Sequence, residues 1–219
     1  INGGTEVKIY EPMASISPIC SIYTKSVEEF KGKELVKTAN KIISKSKIVT
    51  SHIGDSITHG GDYYTLNKDK SYSSLVAKWI EKNLNISVEK RNNSCDGSQE
   101  IGEMVMFKRG TIDTNASIVT IAGGRNNYDF TVNEGITLAK RYSMVEAMIR
   151  KAIESNVDVL LFFTSYENFD KVDTLDYPTK PENNAYTIAP FDVQQQEQYK
   201  NLAEYYGVGY IDTLSKARK

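Results

Sequence analysis

Lys47-Ile48-Val49-Thr50-Ser51-His52-Ile53-Gly54-Asp55-Ser56-Ile57-Thr58-His59-Gly60 runs from a β-branched segment straight into a turn of small and polar residues. The first seven residues favour an extended backbone, because Ile, Val and Thr side chains pack well on a pleated surface. Gly54 lets the chain turn tightly, and Asp55 can hydrogen-bond the loop that follows. A serine placed directly after a strand can hold its hydroxyl over the edge of the sheet. If a helix follows, its N-terminus favours developing negative charge. As a bare tripeptide, Gly54-Asp55-Ser56 is equally compatible with a polar turn, so the surrounding elements decide its meaning.

Upstream, residues 1–25 carry Pro12 and Pro18 without a clean period and read as a lead-in. Ser26-Val27-Glu28-Glu29 has the form of a capping box, and Leu35, Val36, Ala39, Ile42 and Ile43 keep helical spacing up to about Ser46. Residues 1–46 therefore form a lead-in segment plus a helix, and 47–219 form the main domain.

Downstream, Tyr72, Leu75, Val76, Trp79 and Ile80 make an amphipathic helical stripe. Ile86 to Lys90 is a weak strand, and Ala116 to Ala122 is a near-continuous apolar run of the kind buried on both faces. Leu138, Ala139, Tyr142, Val145, Ile149, Ala152 and Ile153 mark the clearest helix, with Asn156 as a left-handed stop. Val157 to Thr164 is a further strand, and Ser165 to Ala189 reads as a surface insertion. Asp192 can cap a helix carrying Tyr199, Leu202, Ala203 and Tyr206, closed by Gly207 before a last strand from Val208 to Asp212.

Strand and helix alternate throughout, with five strands. That order predicts an α/β fold, a three-layer α/β/α sandwich on a five-stranded, mostly parallel sheet. In such sheets active sites gather at the carboxyl ends of the strands. Three of those ends carry Ser56, then Asn93 to Gly97, then Gly124 to Asn126. A hydroxyl nucleophile, a glycine N–H and a side-chain amide are the parts acyl transfer requires.

These blocks resemble the SGNH (GDSL-type) hydrolases, whose fold is flavodoxin-like. Gly54-Asp55-Ser56-Ile57-Thr58-x-Gly60 is similar to the first block of that family, with Ser56 in the nucleophile's place. Asn93-x-x-x-Gly97 resembles the second and Gly124-x-Asn126 the third, with Asn127 where an acidic residue is usual. The resemblance runs from about Lys47 to Asp212. It implies a serine esterase working through an acyl-enzyme, with the Ser56 and Gly97 N–H groups and the Asn126 amide forming the oxyanion hole. It also implies an O-acyl ester substrate, an O-acetyl carbohydrate being favoured. His59, Tyr63, Arg125 and Tyr128 sit on the same loops and are candidates to line the substrate pocket; neighbouring Tyr64 shares that placement.

The family's base is a histidine in a late Asp-x-x-His block, and no such block occurs in the 219 residues. The two histidines, His52 within the strand and His59 three residues after Ser56, do not resemble it. The expectation is a domain incomplete at its C-terminus, with the Asp-x-x-His block carried by a further polypeptide segment. The alternative is a catalytically inactive binding or structural module of a bacterial surface or phage tail protein.

Composition fits these readings. With 27 basic and 28 acidic residues there is no charge excess to attract nucleic acid or an anionic membrane. No apolar run approaches the roughly 20 residues of a membrane span. The chain opens Ile1-Asn2-Gly3-Gly4 without a basic segment or an apolar core of the signal-peptide kind. A secreted, cell-surface or phage-particle protein is favoured over a cytoplasmic one. Two separated His and two Cys lack metal-ligand spacing, so neither a metal nor a cofactor is expected. Pairing of Cys20 with Cys95 is left open. The glycine pairs Gly60-Gly61 and Gly123-Gly124 lack the patterns of phosphate-cradling loops.

Overall fold

The computed structural model describes residues 34–60, 69, 71–98, 100–123, 138–163 and 185–213. Five strands, β1 (Ile48–Gly54), β2 (Val88–Asn92), β3 (Ile118–Ala122), β4 (Asp158–Phe162) and β5 (Gly209–Ile211), form one sheet in the order β2-β1-β3-β4-β5. Every pairing is parallel. The helices are α1 (Val36–Ile43), α2 (Ser56–His59), α3 (Tyr72–Leu84), α4 (Glu100–Phe107), α5 (Leu138–Glu154) and α6 (Ala185–Tyr206). The α/β sandwich expected from strand–helix alternation is the fold observed.

The strand order explains where a site can form. From β1 the chain steps outward to β2, then crosses back to β3 on the other side of β1. Connections on the two sides of β1 therefore leave in opposite directions and open a crevice at its carboxyl end. β1 ends at Gly54, paired with Ala122, and β2 ends at Asn92, paired with His52.

The two faces of the sheet differ because alternate residues point to opposite sides. On one face Ile53, Val119, Ile121, Val159 and Leu161 join Phe107 of α4, Val145, Met148, Ile149 and Ala152 of α5, and Tyr199, Ala203 and Tyr206 of α6 in the apolar core. The other face mixes polar side chains, Thr50, His52 and Thr120, with apolar ones such as Ile48 and Phe162. Ring-edge contacts join Tyr72 of α3 to His52 (centroids 5.5 Å apart) and to Phe162 (5.1 Å), and the Tyr72 hydroxyl lies 3.0 Å from Thr120 Oγ1. On that same face the Asp158 carboxylate accepts the Lys37 and Thr38 N–H groups at 3.2 and 2.6 Å, fastening the start of α1 to β4.

Several expectations are corrected. Of the apolar stripe of α3, Tyr72 packs on the sheet but Leu75, Val76 and Trp79 are exposed, and Ser73, Ser74 and Ala77 are buried instead. Small residues allow close approach to this mixed sheet face, where Lys90 Nζ donates to Ser74 Oγ at 2.5 Å. Asp192 lies within α6 rather than capping it, since that helix begins at Ala185. Its apolar period starts late because Gln195 and Gln196 are buried polar residues. Leu35 adopts a left-handed conformation (φ 47°) just before α1 rather than a helical one. The sequence reading also missed α4 and the π-helical turn Lys108–Ile112 that extends it. Gly102, Gly110 and the buried Glu103 interrupt the apolar period there. Asn156 is a left-handed stop after α5 (φ 53°), as expected. No helix among the described residues is long and apolar enough to cross a membrane.

Candidate active site

Ser56 is the first residue of α2, the four-residue helix that starts one residue after β1. Asp55 precedes it in an extended conformation and is fully buried. Its carboxylate accepts the Ile57 N–H at 3.0 Å, so Asp55 caps the helix and fixes the serine's backbone. The helix closes quickly, with Gly60 N–H donating to the Ser56 carbonyl at 3.0 Å and Gly60 taking a left-handed φ of 83°. Ser56 itself is half-buried.

This turn fits only because residue 54 is glycine. A Cβ there would stand 2.0 Å from the Ala122 carbonyl oxygen and 2.3 Å from Thr58 Oγ1. Thr58 uses that closeness, its hydroxyl donating to the Ala122 carbonyl at 3.0 Å. The end of β1, the helix bearing Ser56 and the end of β3 are thereby locked together.

Gly97 lies in the loop after β2, with a left-handed φ of 71° and no described residue within 4 Å of where a Cβ would stand. The loop is pinned to the Ser56 segment. The Gly54 carbonyl accepts from Cys95 N–H at 3.2 Å and from Ser98 Oγ at 2.9 Å. Asn92 Nδ2 donates to the Thr58 carbonyl at 3.0 Å. Asn93 Nδ2 reaches Ser51 Oγ at 3.2 Å. At the rim, His59 Nδ1 lies 2.8 Å from Asp96 Oδ1. Ser56 and Gly97 thus stand on cross-linked loops at the carboxyl ends of neighbouring strands. Asn126, Arg125, Tyr128 and Tyr63 lie outside the described residues. Cys95 carries a free, exposed thiol, and Cys20 lies outside the described residues.

Below the crevice, His52 is buried in β1, with Nδ1 2.9 Å from Thr120 Oγ1 and Nε2 3.1 Å from Thr50 Oγ1. Burial first, then the nearby Lys90 charge, lowers its pKa to about 3, so it is a neutral imidazole. Burial likewise drives the Tyr72 phenol upward, opposed by hydrogen bonds to Thr120 and Thr58 and reinforced by the charges of Asp55 and Glu103. Glu103, nearly fully buried, sets its carboxylate against Gly123 at the end of β3.

Sequence reasoning missed Asp96, Tyr72 and Glu103 as neighbours of the site. Asp96 could have been found, since it directly precedes Gly97 in a loop already singled out. Glu103 gave no signal, because its helix was not recognised. Among the described residues no group of three or more His, Cys, Asp or Glu side chains is arranged to hold a metal ion.

Comparison with known proteins places the family and the fold. The model of the GDSL-like lipase/acylhydrolase family matches residues 52–219. Among solved structures, the chain is similar to a catalytic mutant of Axe2, an acetylxylan esterase from Geobacillus stearothermophilus, with 14% identity, 78% of each chain covered and a TM-score of 0.60. It is also similar to the acetyl xylan esterase AlAXEase, with 18% identity over 78% of this chain and 79% of that one and a TM-score of 0.59. A third is the psychrotrophic esterase EstA from Pseudoalteromonas sp., with 13% identity, 74% and 75% covered and a TM-score of 0.53. At these identities the likeness is one of fold. No curated protein sequence matches the chain.

Proposed function

Because this chain belongs to the GDSL-like lipase/acylhydrolase family, whose members hydrolyse ester bonds, we propose that it is a serine esterase acting through an acyl-enzyme on Ser56. The observation that carries the reading is the placement of Ser56 at the head of a capped turn, cross-linked to the Gly97 loop across the ends of β1 and β2. Ser56 Oγ attacks the ester carbonyl carbon while its proton passes to a base. The carbonyl electron pair moves onto oxygen, and the N–H groups of Ser56 and Gly97 with the Asn126 amide hold that charge. Collapse breaks the bond to the alcohol, which leaves with the proton. Water then repeats the sequence on the acyl-enzyme and frees the acid.

His52 is held neutral between two threonines and His59 engages Asp96. The proposal therefore assigns the base to a histidine carried outside residues 1–219, as the family's Asp-x-x-His block implies. An O-acetyl carbohydrate is the favoured substrate. Two observations support it: the fold likeness to acetylxylan esterases, and the presence of Tyr63, Arg125 and Tyr128 on the flanking segments.

The test is hydrolysis of p-nitrophenyl acetate by the full-length protein, beside labelling of Ser56 by a fluorophosphonate. Acetylated xylo-oligosaccharides should be preferred to long-chain p-nitrophenyl esters. Turnover unchanged by Ser56→Ala, or neither turnover nor labelling in the wild type, would overturn the esterase reading. A preference for long acyl chains would remove the carbohydrate assignment alone.

A further inference from the structure

We propose that the His59–Asp96 pair is a positioning clamp, setting the Gly97 N–H against the Ser56 hydroxyl without either side chain touching substrate. The proposal rests on the esterase reading and adds a residue pair at positions the family's motif blocks leave unspecified. His59 is the last residue of the helix that Ser56 begins, and Asp96 directly precedes Gly97. Their 2.8 Å contact therefore spans the two segments whose relative position fixes the oxyanion geometry.

Among the described residues, further ties between these segments end on backbone carbonyls: Cys95 N–H and Ser98 Oγ on Gly54, and Asn92 Nδ2 on Thr58. They hold the loop to the Ser56 segment on both sides of Gly97. Gly97 stands between the Cys95 and Ser98 ties with a left-handed backbone, and no described residue lies within 4 Å of where its Cβ would stand. The His59–Asp96 contact lies one residue before Gly97, as the Ser98 tie lies one after, and it joins two side chains rather than ending on a carbonyl. With side chains 24% and 50% exposed, the pair adds little to global stability. Positioning demands little stabilisation, since displacing an oxyanion donor by about 1 Å costs roughly 100-fold in rate. Because Asp96 takes Nδ1, the imidazole is fixed in orientation, and an asparagine at 96 could still offer an oxygen to an Nδ1–H donor.

Two readouts on the full-length protein test the clamp. Hydrogen exchange of residues 94–98 should be about two- to fivefold faster in His59→Ala and in Asp96→Ala, with β1 and β3 unchanged. On p-nitrophenyl acetate both variants should lose about 10- to 100-fold in kcat with KM within about twofold, and the double variant should lose no more than either single one. Asp96→Asn should restore most of both readouts. Exchange equal to wild type in both alanine variants overturns the clamp. So does a loss in His59→Ala far exceeding that in Asp96→Ala with the loop unmoved, which would make His59 a reacting group. If the wild type neither turns over nor is labelled at Ser56, the esterase reading falls, while the exchange comparison still decides whether the pair holds the loop.

Discussion

Gly54 and Ala122 meet so closely that a Cβ on Gly54 would stand 2.0 Å from the Ala122 carbonyl oxygen. The contact joins the ends of β1 and β3 where the strand order reverses, and it holds the Ser56 turn at the crevice. Gly54→Ala must push two backbone segments apart, because the obstructing atom is a main-chain carbonyl. The expected loss is at or above about 3 kcal/mol, the upper end for overpacking. Adding Thr58→Val should not rescue it, because the carbonyl obstruction remains. Urea unfolding followed by far-UV circular dichroism measures this; the single tryptophan, Trp79, is 59% exposed and is a poor reporter of the core.

Gly97 gives the opposite kind of glycine effect. Its φ of 71° disfavours any side chain, yet no described residue within 4 Å would obstruct one. Gly97→Ala should therefore cost only about 1 kcal/mol of stability, the conformational term alone. If the Gly97 N–H serves the oxyanion, relaxation of this backbone should lower kcat by about 10- to 1,000-fold. A variant that is both slightly destabilised and fully active would remove Gly97 from the proposed oxyanion hole.

These two glycines show how far the sequence could be read. β1 and the turn after it were legible because a β-branched run stops at a glycine, and short-range sterics decide both. The parallel sheet followed from alternation alone. The face presented by α3 did not, because Leu75, Val76 and Trp79 look like an inward stripe while Ser73, Ser74 and Ala77 join Tyr72 in the packing. Periodicity reports which residues share a face, and only the partner surface decides which face turns inward; here that surface carries His52 and Thr120. The His59–Asp96 contact joins residues 37 apart in sequence, and no local pattern encodes it.

Asp158 should prove a stability residue far from the crevice. Its carboxylate accepts two N–H groups at the start of α1 from 120 and 121 residues away, at 2.6 and 3.2 Å. Both donors belong to the first turn of a helix whose cap residue, Leu35, offers no side-chain bond. Asp158→Ala should cost about 1–3 kcal/mol. Amide exchange in α1 should rise more than in β3, and esterase activity should be unaffected at temperatures where the fold persists. Equal protection of α1 in the variant would show that the helix is held by its packing alone.

His52 makes stability depend on pH in a window set by one buried imidazole. Its folded pKa is lowered to about 3 from an ordinary value of 6.5, by burial first and Lys90 second. Below pH 6.5 the unfolded chain takes up a proton that the folded chain refuses, so the unfolded state binds more protons and stability falls as pH falls. The contribution is fully present above 6.5 and drains away towards about 3, at up to about 1.4 kcal/mol per pH unit. Carboxylates begin to titrate near the lower part of that range, so the clean interval is about pH 6 to 5. His52→Gln keeps a hydrogen-bonding side chain between Thr120 and Thr50 and removes the titration. Urea midpoints across this interval should slope for the wild type and run nearly flat for the variant, whatever the variant's absolute stability. Parallel slopes would mean that His52 is protonated in the folded protein and that its face of the sheet accommodates a charge.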